Sequence, residues 1–328
     1  MTRSKRLSLL VYLFILVKSS NPLASQDLNT LTSSCIGKMS SDQYSLCHKS
    51  ILAARTIRSG VSLSAGYGSE LPGSSNAIGR RKEGQVPARN LSFAFSSGFA
   101  RIRIPSLYIG SSNRDLSNVV NVYGLNTTFT LGLFDGLAIS PGVKGVFSMD
   151  VIGSASVQFF NWDSEQPIVV SGTGSAGVRI GLLRESFSFP GLTVSVVRQT
   201  GRDLDLDSSR KDRVDLVVGN RSTRFRTTVG KDFSKLGILA GIGWNYNSGL
   251  LQGTIPGMLA RSAWTFSSKE AVDSQALYFT GLSFTDMVFQ LSLELGLVEE
   301  LDVPSNVYFG YDSSSSVVFG RLAVRVRF

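Results

Sequence analysis

Three groups of residues have types and spacings that chemistry uses. Gly172-Thr173-Gly174-Ser175-Ala176-Gly177 follows the apolar Ile168-Val169-Val170 and has the G-x-G-x-x-G form of a phosphate-cradling turn. Such a turn needs a helix after the glycines and an acid about 20 residues further on. Here Val178, Ile180 and Leu182 alternate with Gly177, Arg179 and Gly181, which is strand periodicity, and the region of Val196-Val197 is apolar. The glycines are expected in a tightly packed strand, with no cofactor. Asp203, Asp205 and Asp207 are spaced like calcium ligands, but a calcium loop also needs a turn glycine and a later glutamate. Ser208 and Val214 stand at those positions, so a charged hairpin tip is expected. His48 is the only histidine, beside Cys47 and downstream of Cys35. No fourth metal ligand is near, and no Ser-His-Asp arrangement can be built on this residue. The chain reads as non-enzymatic, with no catalytic residue, cofactor or metal site.

The elements that carry these residues point to export. Arg3, Lys5 and Arg6 precede the apolar run Leu7–Val17, and small residues follow up to Ala24 and Ser25. That order is a signal peptide over residues 1–25, and the run is too short for a membrane helix, which needs ~20 residues. In an oxidising compartment Cys35 and Cys47 are expected to form a disulfide. Residues 26–58, with a short helix around Ile51–Ile57, read as a periplasmic lead-in. A net charge of +9 suits anionic headgroups or acidic solutes. Nucleic acid is not expected as a partner, because the chain is exported and carries no aromatic-plus-basic recognition motif.

Only 17% of residues are charged and 33 are glycine. From about residue 89 the pattern has period two, in long segments separated by turn signals such as Asp135-Gly136, Pro190-Gly191 and Ser248-Gly249. About 12 to 14 candidate strands result, each of about 9–13 residues, the length that crosses a bilayer at the usual tilt. Helices and closed barrels are the structures that satisfy their backbone hydrogen bonds in lipid, and no second apolar run is long enough for a helix. The expected fold is therefore all-β: a transmembrane antiparallel up-and-down barrel over residues 59–328. A secreted soluble β-sandwich is the alternative.

The last strand separates two faces. Gly320, Leu322, Val324, Val326 and Phe328 fall on one, and Arg321, Arg325 and Arg327 on the other. A dry core would bury those arginines at large cost, whereas a hydrated lumen accepts them. Taking the apolar side of each strand as the lipid side puts Arg101, Arg103, Arg179, Arg224 and Arg226 in the lumen too, with Glu294 as the clearest opposing acid. Trp162, Trp244, Tyr246, Trp264, Phe266, Tyr278, Phe279, Tyr308, Phe309 and Tyr311 are expected at the two membrane interfaces.

With alternating apolar residues and a terminal Phe328, the final strand resembles the C-terminal strand of bacterial outer-membrane β-barrel proteins. That resemblance implies location in the outer membrane of a Gram-negative cell. It also implies that the barrel assembly machinery reads Gly320, Leu322, Val324, Val326 and Phe328. Length and strand count are similar to those of the long-chain fatty acid transporter family. The function expected is a porin-like channel or solute transporter, surrounded by outer-membrane lipids. Its basic lumen would favour a small anionic solute of unknown identity. A plugged, non-conducting structural or interaction barrel is the alternative.

Overall fold

The computed structural model describes Cys35 and residues 41–65, 74–78, 81–83, 86–88, 91–107, 118–139, 145–160, 168–187, 189–206, 214–255, 264–268, 271–299 and 317–328. The signal peptide expected over 1–25, Asp207, Trp162, Tyr308, Phe309 and Tyr311 lie outside these residues, as does the Trp264 side chain.

One helix, α1 (Ser41–Ser64), precedes the strands. A short hairpin follows, β1 (Arg81–Glu83) with β2 (Val86–Ala88). The long strands are β3 (Leu91–Ile104), β4 (Asn118–Phe134), β5 (Ser148–Phe160), β6 (Val169–Leu183) and β7 (Gly191–Gly201), then β10 (Arg221–Phe233), β11 (Leu236–Ser248), β14 (Asp273–Asp286), β15 (Phe289–Val298) and β16 (Val317–Arg327). These ten pair antiparallel with their neighbours and close into a barrel. The seam is β3 against β16, where Leu91 and Phe328 each donate a backbone N–H to the other's carbonyl at 3.3 and 2.9 Å. The count is below the 12 to 14 expected. Four of the apolar segments, β8 (Leu204–Leu206), β9 (Asp215–Val218), β12 (Leu251–Ile255) and β13 (Trp264–Ser268), form a separate sheet beyond one rim.

The two rims differ. At one, Ser234-Lys235 joins β10 to β11 and Met287-Val288 joins β14 to β15. Ser234 and Met287 have φ of 61° and 49°, the left-handed conformation two-residue hairpins need. That rim also carries 135–147 and 184–190; at the other rim are 105–117, 161–168, 299–316 and the two longest connections, which carry the extra sheet. These are the turn end and the loop end below.

Alternation assigns every strand residue a side. On β15, Phe289, Leu291, Leu293, Leu295 and Leu297 point outward and exposed, while Gln290, Ser292, Glu294, Gly296 and Val298 point inward and buried. The other barrel strands repeat this, and outward Phe93, Phe95, Phe129, Leu282 and Leu322 continue the apolar surface around the ring. A soluble protein does not leave so continuous an apolar face to water, and lipid is its solvent. Among the described residues the long strands form one closed barrel and not the two packed sheets of a soluble sandwich. The chain is a closed β-barrel of the membrane-spanning kind, with backbone groups satisfied strand to strand and an apolar wall.

Three placements differ from the sequence reading. Arg101 and Arg103 face outward, with Ile102 and Ile104 buried inside. β3 pairs without a bulge along its whole length, so the parity that turns Phe93, Phe95 and Phe99 outward carries through to both arginines. Apolar stopped meaning lipid-facing there because α1 lines the inside of the barrel at that level. Phe279 is likewise buried on the inner wall, and Phe266 within the extra sheet's core, rather than at an interface, whereas Trp244, Tyr246 and Tyr278 do lie on the outward parity. Lastly, α1 continues past residue 58, where the barrel was expected to begin, and the first barrel strand starts at Leu91.

Candidate functional site

The inner wall is built from short polar side chains and arginines, and α1 occupies the space inside it. The helix is buried on all sides from Ala53 to Ala65, yet carries Arg55, Arg58, Ser59, Ser62 and Ser64. A helix polar in that way is stable in a protein interior only where the wall answers it.

The answers come from β11 and β14 and from the turn between β11 and β12. Arg58 Nη1 donates to the Ala271 carbonyl at 2.7 Å and lies 3.5 Å from Asp273 Oδ2. Arg55 Nε stands 4.0 Å from the same oxygen. The Ser59 hydroxyl donates to Gln275 Oε1 at 2.6 Å. Asn245 Nδ2 donates to Ser62 Oγ and Asn247 Oδ1, both at 3.0 Å, and Asn247 Nδ2 donates to Asp273 Oδ1 at 2.8 Å. The bonds with an ionised partner, Arg58 to Ala271 and Asn247 to Asp273, are the stronger ones, and each bond satisfies a group that burial would otherwise penalise.

Close approach is made possible by glycine. Gly98 and Gly124 are in-register partners on β3 and β4. A Cβ on Gly98 would sit 2.7 Å from the Ser64 carbonyl oxygen, and one on Gly124 would overlap that oxygen. On the helix itself, a Cβ at Gly60 would meet Ile102 Cγ2 at 2.9 Å. The end of α1 is thus seated in a notch in the wall.

Towards the loop end the contacts turn apolar. Ile51, Ala54, Ile57 and Val61 join Ile102, Ile104, Val120 and Val122 from the wall, and Leu206, Leu216, Leu251 and Phe266 from the extra sheet, in one buried cluster. Cys35 and Cys47 are bonded within it, as expected. His48 stacks edge-on against Tyr44 with ring centroids 4.4 Å apart. Burial pushes its imidazole below the usual histidine range.

Residues 74–78 lie at the turn end. Ile78 N–H donates to Asp150 Oδ2 at 2.8 Å, and Asn76 Nδ2 donates to Glu185 Oε2 at 2.9 Å. The N-terminal part of the chain therefore enters the barrel at the loop end, reaches mid-barrel at Ser64, and is met again at the opposite rim before β3 begins.

Of the basic residues expected in the lumen, Arg179, Arg224, Arg226, Arg321 and Arg325 are buried on the inner wall. Arg327 has the same parity as Arg325 and is exposed at the turn end. Arg226 Nη2 donates to Glu294 Oε1 at 2.9 Å, and its guanidinium carbon lies 3.6 Å from the centre of the Phe279 ring. Arg179 Nε stands 3.9 Å from Asp150 Oδ2, and Arg321 donates to Ser96 Oγ at 2.8 Å. Leu322, Val324, Val326 and Phe328 take the outward parity, as does Gly320, which the Phe99 ring covers. Gly172 and Gly174 of the glycine motif are in β6, outward, with no helix after them. Asp205 is exposed in β8.

Sequence reasoning missed the lumenal helix and its anchors Asp273, Asn245, Gly98 and Gly124. The signal for it was the run of Arg55, Arg58, Ser59, Ser62 and Ser64 within and just beyond the helix expected at Ile51–Ile57, a pattern that asks for a polar enclosure.

No protein-family model matches the sequence, and no curated protein is similar to it at a significant level. Several solved structures of bacterial barrels are similar to this chain. The transport unit of the autotransporter AIDA-I from Escherichia coli is 10% identical over 84% of this chain and 99% of that one, with a TM-score of 0.37. The translocator domain of the autotransporter NalP from Neisseria meningitidis is 11% identical over 74% and 90%, with a TM-score of 0.41. An outer-membrane channel from Pseudomonas putida F1 is 8% identical over 75% and 97%, with a TM-score of 0.38.

Proposed function

We propose that this barrel is an outer-membrane channel or solute transporter held shut by its own N-terminal helix, with a basic lumen that favours anionic solutes when the helix moves. The observation that carries the reading is the position of Ser41–Ser64 inside the ring of ten strands, anchored by Arg58 to Asp273. The arginine-rich inner wall supports the charge preference, since a lumen of one sign concentrates solutes of the other. The role is passage rather than catalysis: the one histidine is stacked in the apolar cluster beside a disulfide. Outer-membrane lipids would cover the apolar wall. The outward apolar face of β16, ending in Phe328, suits recognition by the barrel assembly machinery.

A second reading is a permanently plugged structural or interaction barrel. The extent of the buried cluster, which ties α1 to both wall and extra sheet, favours it. Planar-bilayer recordings separate the two. Wild-type protein should be closed for most of the record, and Asp273→Asn should open and show an anion-selective reversal potential in a salt gradient. A variant that stays silent with its helix released would favour the structural reading. Steady wild-type conductance equal to the variant's would remove the helix as a gate, and cation selectivity would remove the anion preference.

A further inference from the structure

Buried positive charge exceeds buried negative charge inside the barrel. Among the described residues seven arginines are buried on α1 and the inner wall, against three acids, Asp150, Asp273 and Glu294. Each acid is already engaged: Asp273 with Arg55 and Arg58, Asp150 with Arg179 and the Ile78 N–H, Glu294 with Arg226.

Arg325 is the residue on which this excess falls. It is 0% exposed, and Nε, Nη1 and Nη2 all lack a hydrogen-bond partner. Its in-register neighbours on the inner face are Gln290 of β15 and Ala94 of β3, neither of them charged. The charges that reach it are Arg327, Arg179, Asp232 and Asp150. Two of these repel it. Asp150 is shared with Arg179, and Asp232 is exposed at the turn end. The helix lies above this level, and residues 74–78 bind at the rim below. A guanidinium enclosed in this way carries a large desolvation penalty unless an opposite charge accompanies it. Its planar fork of N–H donors fits a tetrahedral or planar oxyanion through two parallel bonds.

We propose that Arg325 holds a compact oxyanion, a phosphate, sulfate or small carboxylate, in the lower lumen, with Arg179 adding to the field and the Gln290 amide alongside. The inference rests on the basic lumen of the reading above and not on conductance. It makes the solute class specific and gives the passage a binding step near the turn end.

The test uses the full-length protein in detergent, closed as it is. Thermal unfolding is followed in series of inorganic phosphate, sulfate, acetate and chloride at matched ionic strength. Wild type should gain a saturable rise in midpoint with at least one oxyanion and not with chloride. Arg325→Gln should lose that response, and Arg325→Lys should keep it at reduced affinity. A wild-type midpoint that follows ionic strength alone would overturn the proposal, as would an equal oxyanion response in Arg325→Gln. So would an Arg325→Gln protein more stable than wild type in every anion, because the arginine would then be uncompensated. Should Arg325→Gln not fold, phosphate and sulfate analysis of purified wild type and Arg325→Lys replaces it. A bound oxyanion retained by wild type through chloride dialysis and lost from Arg325→Lys supports the site, and none in wild type refutes it. A failed gating reading shows up as conductance in bilayers and leaves the anion series unchanged.

Discussion

Arg58 of the lumenal helix and Asp273 of β14 lie 3.5 Å apart with both side chains 1% exposed, and this contact joins two parts of the chain more than 200 residues apart. Removing one partner strands the other. Asp273→Asn is expected to cost about 3–5 kcal/mol, the usual range for a broken buried pair. Guanidinium unfolding in detergent gives the loss, and protease cleavage within 41–64 should appear in the variant and not in wild type. A companion Arg58→Met should recover part of the stability, since it removes the stranded charge.

The glycine notch gives a way to move the helix without touching a charge. Gly124→Val would drive a side chain into the Ser64 carbonyl, and overpacking of this kind costs about 1–3 kcal/mol. The barrel should still migrate faster on a gel before boiling than after, while the helix becomes protease-sensitive. Gly153→Val is the control. It lies on an adjacent strand with nothing within 4 Å of its would-be Cβ, and should behave as wild type.

Helix direction fixes a sidedness. Cys35 and the start of α1 belong to the cluster at the loop end, and in membrane barrels the long connections face the cell exterior while the periplasmic turns are short. A tag inserted just before Cys35 should react with a membrane-impermeant reagent on intact cells. Reaction only after the outer membrane is permeabilised would put that end in the periplasm.

Parity along β15 predicts an asymmetry. Leu293 is outward at the middle of the strand, and Leu293→Arg should destabilise the bilayer-inserted protein by about 2–4 kcal/mol. Ser292 is inward and donates to the Ala323 carbonyl at 3.5 Å, so Ser292→Ala should cost about 1 kcal/mol or less. Urea unfolding from lipid vesicles compares the two.

Much of the barrel was legible in the order of residues. Period two over long segments needs nothing but adjacent side chains to announce a strand with two unlike faces. Arg321, Arg325 and Glu294 went to the correct side because Leu322, Val324, Leu293 and Leu295 flank them. The Cys35–Cys47 bond was equally local, closing a separation of 12 residues.

Arg101 and Arg103 show where local reading stops. Alternation alone puts Ile102 and Ile104 on the lipid side, although they pack in one cluster with a helix about 40 residues away in sequence. Which face of a strand is apolar is written in the strand. Whether that face meets lipid or a helix depends on what fills the lumen, and only the closed structure decides it. The strand count turned on the same kind of fact, because β9 and β12 alternate like barrel strands but pair with each other beyond the rim.

The order of residues alone specifies a strand-rich chain, an apolar side and a basic side for its last strand, and one disulfide. These depend on the spacing of neighbours, which the chain carries with it. Only the closed fold places α1 in the loop-end half of the barrel, sets Asp273 against Arg58, and buries Arg325 without a hydrogen-bond partner. Those are relations between residues brought together only when the first strand meets the last, and closure of the barrel from Leu91 to Phe328 creates them.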